Sequence, residues 1–203
     1  MRDGGWRWAP VLVLACTAVL ASACGSSSSS GSTAPAAATG AVTCSNIIGG
    51  LSFSPPLTAT GSGPETASIR LQASGCTTSG SSVSTVTSGT AKVTLTSPDS
   101  TCAGVLTLRS VALTIRWAPP SILPSTLTFS GYSIVSKPSG SGGFTFPDPG
   151  GTAKVTGSFA GSDGGAGSTA TIYFDPSVAQ IQTVCRSSGL ASIPVTSGTV
   201  TLK

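Results

Sequence analysis

ASIRLQA, residues 67–73, decides the fold. Ala67, Ile69, Leu71 and Ala73 alternate with Ser68, Arg70 and Gln72, so every second residue is apolar. In an extended chain successive side chains point to opposite faces, and a period of two therefore marks a strand with one buried and one wet face. The pattern recurs along the chain. Ala91, Val93 and Leu95 alternate with Lys92, Thr94 and Thr96. Ala153, Val155 and Phe159 share one face against Lys154, Thr156 and Ser158; Ala170, Ile172 and Phe174 repeat it, as do Val200 and Leu202.

Two places break phase. In VLTLRSVALTIRW, residues 105–117, Leu106 and Leu108 are even, whereas Val111, Leu113, Ile115 and Trp117 are odd. Gly131 separates Leu127 and Phe129 from Tyr132 and Ile134 in the same way. A phase switch within a strand is the mark of a bulge.

Composition agrees with strands. Gly, Ser, Thr, Val and Pro dominate, with 26 glycines and 14 prolines, while charged residues are only 8% of the chain. Thr and Val favour strands, and Gly and Pro punctuate turns. About nine strands fall between 46 and 203, which predicts an all-β domain, an antiparallel β-sandwich over residues 42–203. One segment differs. Asp175-Pro176-Ser177 before VAQIQTV has the form of an N-cap with proline at the first helical position, and predicts a short helical turn at 176–182.

Cys44, Cys76, Cys102 and Cys185 are an even set in a chain with an export signal, which predicts two disulfides with three pairings open. If the strand at 46–54 pairs antiparallel with 67–74 around a turn near residue 60, paired residues sum to about 120. Cys44 then faces Cys76, and Cys102 is left for Cys185. The rival, a zinc site, lacks closely spaced cysteine pairs. The spacing of Cys102, Trp117 and Cys185 resembles the cysteine–tryptophan–cysteine pattern of immunoglobulin domains, which implies an Ig-like architecture. Thr183 stands where the family's tyrosine corner would be, so the likeness extends to architecture and not to membership.

The leading residues carry Arg2 and Arg7 against Asp3, and VLVLACTAVLASA, 11–23, has no charge. That is a signal-peptide apolar region, short of the roughly 20 residues of a spanning helix. Ala21-Ser22-Ala23 supplies small residues for cleavage, so residues 1–23 read as a signal peptide. Leu20-Ala21-Ser22-Ala23-Cys24 resembles the lipobox of bacterial lipoproteins, although Ala21 stands where leucine is commonest. The resemblance implies a diacylglycerol on the Cys24 thiol and a membrane as partner, with the chain on the outer face of the cell membrane. Ordinary Ala-x-Ala cleavage and secretion is the alternative. Residues 24–41 then form a linker of small uncharged residues that cannot offset their ordering entropy. The Thr/Ser/Gly-rich strands, Ser74-Gly75-Cys76 and the closing TSGTVTL are similar to small exported actinomycete proteins of uncharacterised role.

For function the absences are informative. The chain has no histidine, which removes Ser–His and Cys–His catalysis and histidine metal ligands. The carboxylates beyond the leader are Glu65, Asp99, Asp148, Asp163 and Asp175, each alone in sequence, whereas a glycosidase needs a pair. Asp163 among glycines reads as a turn residue rather than a calcium ligand. No catalytic residue, metal or cofactor is implied. The net charge of +4 comes from singly scattered basic residues, which points away from nucleic acid. Phe144 and Phe146 in PSGSGGFTFPDPGG, 138–151, either close the end of the core or form an exposed pair contacting an envelope glycan or protein. The expectation is a non-catalytic surface module for binding, adhesion or envelope structure. The alternatives are a carrier of a small apolar ligand, recognisable by a cavity lined by Leu, Ile and Phe, and a carboxylate-based hydrolase.

Overall fold

The computed structural model describes residues 35–83, 85–103 and 110–203. These form ten strands: β1 Ala41–Leu57, β2 Glu65–Ser79, β3 Ser88–Ser97, β4 Ser110–Ala118, β5 Ser125–Ser130, β6 Ser133–Ser136, β7 Gly142–Phe146, β8 Ala153–Gly157, β9 Thr169–Phe174 and β10 Leu190–Leu202, with helix α1 at Val178–Ser187 before the last. All ladders are antiparallel.

The expected two-layer sandwich of about nine strands gives way to one ten-stranded sheet, in the order β6-β7-β9-β10-β1-β2-β3-β4-β5-β8. Its connections force it to curl. β6 is at one edge and β5 lies beside the other, yet only Gly131 and Tyr132 separate them. Three residue steps span at most about 10 Å, so the two edges must lie side by side. Gly131 has φ +74°, and at this kink the chain leaves one edge and continues at the other. Phe129 of β5 stacks on Phe146 of β7 across the seam at 5.8 Å, and Tyr132 meets Phe144 at 4.8 Å. The phase switch at Gly131 is thus a change of edge rather than a simple bulge. The other phase switch falls on residues 105–109, outside the described residues.

The first hairpin has the expected register. Cys44 pairs with Cys76 and the ladder runs from Ala41–Ser79 to Ser54–Thr66, every pair summing to 120. The disulfides are Cys44–Cys76 and Cys102–Cys185. The second ties α1 to the connection after β3, where Cys102 N–H donates to the Thr58 carbonyl at 2.9 Å.

Helix α1 begins later and is longer than the turn expected at 176–182. Ser177 is the N-cap: its hydroxyl accepts from Gln180 N–H while its own N–H donates to Gln180 Oε1. This capping box outcompetes Asp175 as the cap. Only Ile181 and Cys185 of the helix are buried.

One end of the curl is plugged. Trp117, at the end of β4, meets Phe159 edge-on at 5.3 Å, and Phe159 is fully buried. Trp117 Nε1–H donates to Ser125 Oγ at 2.8 Å, and the Ser125 hydroxyl donates to the Ser158 carbonyl. Residues read from composition as linker join this plug. Ala38 is buried, its N–H donates to Ser158 Oγ at 3.0 Å and its carbonyl accepts from Phe159 N–H at 2.7 Å. Ala36 N–H donates to Ser121, and Leu123 N–H donates back to Ala36. Order therefore begins before residue 42.

Candidate functional site

The inner face of the curled sheet holds a cavity of about 80 Å³. Eight strands contribute to its wall, from Ile47 and Leu51 on β1 through Ile115 on β4 to Phe129 on β5, Phe144 on β7 and Ile172 on β9. Every lining residue is apolar or glycine, so the space offers a ligand no hydrogen bond and no charge. Small residues leave the room. Ala73 and Gly89 are cross-strand partners, Leu71 pairs with Ala91, and Ala170 faces them from β9. Where strand neighbours carry Leu or Ile on the inside, these positions carry little or nothing beyond Cβ.

Phe144 and Phe146 belong to this wall. Phe144 is 6% exposed and packs edge-on against Phe174 at 5.2 Å, and Phe146 is half-buried. They close the core, and the reading as a surface pair falls, because β7 turns both rings inward.

Of the five carboxylates Glu65 and Asp99 come near each other, and among the described residues no third acid joins them. Glu65, at the start of β2, is buried, and burial first and the nearby Asp99 second push its carboxyl above the usual range. Neither residue lines the cavity. Asp148 lies over the Gly131 kink, where a Cβ would meet its carboxylate. Asp163 sits in the β8–β9 connection, and Asp175 precedes α1. Among the described residues no three His, Cys, Asp or Glu side chains are grouped to hold a metal ion. Cys24 lies outside the described residues. Within them no helix is long and apolar enough to cross a membrane, and the two disulfides fit an oxidising, extracellular environment.

Comparison with known proteins returns no family model, no curated protein and no solved structure that matches the chain. The site has to be interpreted from its own geometry.

The cavity was open to sequence reading only as an expectation, since alternation marks Ala73, Ala91 and Ala170 as inward without weighing their size. Runs of Ala and Gly at inward positions on neighbouring strands are the signal that locates it.

Proposed function

We propose that the chain is a lipid-anchored, non-catalytic module of the outer membrane face whose curled sheet takes up a small apolar group. The wholly apolar cavity supports this reading and favours the carrier among the alternatives. Apolar cavities stay dry, and an engineered one of roughly 150 Å³ binds benzene or xenon. The space here is about half that, so it suits a group of a few heavy atoms, such as the end of an aliphatic chain. A polar head group has no partner in the wall and would remain outside, because burying it unpaired is costly.

Titration with xenon, followed by methyl NMR, tests the uptake. Shifts are expected at Ile47, Leu71, Ile115 and Ile172, with benzene binding more weakly. The variant Ala91→Val should abolish the shifts, and filling the space should raise stability by about 0.5–2 kcal/mol. An unshifted spectrum at xenon saturation, or shifts that survive the filled cavity, would end the carrier reading.

Anchoring rests on the position of Cys24 between an apolar export segment and a run of small residues. The intact mass of the mature chain should show a diacylglyceryl group on an N-terminal Cys24. A free Cys24 thiol would make the chain a secreted one.

A further inference from the structure

Cations that are scattered in sequence come together on the outside of the sheet. Arg70 lies directly opposite Lys92 in the β2–β3 ladder. Arg116 pairs with Thr90, which is the next residue along the same face from Lys92. Lys154, opposite Thr128, lies further around the curl, two strands beyond β4. All four are exposed. The outward positions around them are mainly hydroxyls, including Thr94, Thr96, Thr126 and Thr156. Glu65 is the one carboxylate on β2, β3, β4, β5 or β8, and it is buried. Like charges directly opposite each other across a ladder repel, so the Arg70–Lys92 pair gains nothing within the sheet itself.

The first described residues lie beside this wall. Ala36 is hydrogen-bonded to Ser121 and Leu123, in the turn that directly follows β4 and Arg116. The eleven residue steps from Cys24 to Pro35 span on the order of 40 Å even when fully extended. Pro35 can therefore lie no further than that from whatever carries the Cys24 lipid.

We propose that the outer wall of β2, β3 and β4 docks on the anionic phosphate headgroups of the membrane that holds the chain, an inference that rests on the anchoring of Cys24. Guanidinium groups at Arg70 and Arg116 match phosphate oxygens in pairs, Lys92 adds a point charge, and the threonine hydroxyls donate further hydrogen bonds. Few cations bind a surface weakly on their own and are screened by salt. A short covalent link to that surface raises the effective concentration enough for weak contacts to form.

The test uses the mature acylated chain in phosphatidylcholine vesicles with and without phosphatidylglycerol. A fluorophore is placed on the wall through Thr94→Cys or on the far side through Thr199→Cys, and headgroup-bound spin labels quench it. With phosphatidylglycerol at low salt, quenching at the wall should exceed that on the far side by about twofold or more. High salt, or the exposed substitutions Arg70→Gln/Lys92→Gln/Arg116→Gln, should remove the difference. Equal quenching on both sides, or a difference that persists in the triple variant, would overturn the docking. A chain that fails to associate with either vesicle would instead overturn the anchoring.

Discussion

Replacing Cys102 or Cys185 with serine is expected to lower the melting temperature more than any surface change, by roughly 10 °C or more. The Cys102–Cys185 bridge has a sequence separation of 83, against 32 for Cys44–Cys76. In the chain-entropy model these closures are worth about 4.5 and about 4 kcal/mol. For a domain of this size each kcal/mol corresponds to roughly 2–4 °C. The structure adds a second reason for the ranking. Cys44 and Cys76 sit in an uninterrupted hairpin ladder that holds them opposite each other without the bond. Helix α1 makes no ladder and buries only Ile181 beside Cys185, so the bridge supplies much of what holds it. Calorimetry of the three single variants checks the order. A larger drop for Cys44→Ser than for Cys185→Ser would show that the hairpin depends on its bond and that loop length does not set the order, since both cysteines are buried.

Trp117→Ala is expected to cost about 3–5 kcal/mol, the range for removing a buried aromatic ring. The ring is 4% exposed and packs against Phe159. Phe159 has a φ of 58°, unusual for a residue with a side chain, so its surroundings must hold it there. Losing Trp117 removes that support and leaves the Ser125 hydroxyl without its donor. Trp117→Phe keeps most of the ring and should cost only about 1–2 kcal/mol, mainly the hydrogen bond. Denaturant unfolding of both variants measures the difference, and equal losses would mean that the hydrogen bond, not the ring, closes this end.

The ladders were more legible in the sequence than the way they join. Alternation located the strands, and the sum of 120 followed from a turn near residue 60, because one hairpin determines its own register. The curl was not legible. A bulge and a crossing between sheet edges leave the same phase switch around Gly131, and only the partners of β5 and β6 distinguish them. Arg70, Lys92 and Arg116 looked scattered for the same reason: adjacency across strands depends on pairing, not on spacing. Ser177 was hidden by Asp175 and Pro176, which also suit a helix start. The capping box with Gln180 decides between them. The order at Ala36 and Ala38 was invisible in composition, since small residues that dock through backbone hydrogen bonds look like linker.

The pairing of the first strand with the last governs when the molecule can be finished. β1 lies between β2 and β10, and Thr43 faces Thr201 across a sequence separation of 158. A chain made N-terminus first therefore has one side of β1 bare until its final residues follow. Non-local pairing of this kind slows folding, and an unpaired edge invites association with other chains. The closing segment LASIPVTSGTVTL acts as the zip of the whole sheet, and a chain that stops short of residue 190 is unable to close it.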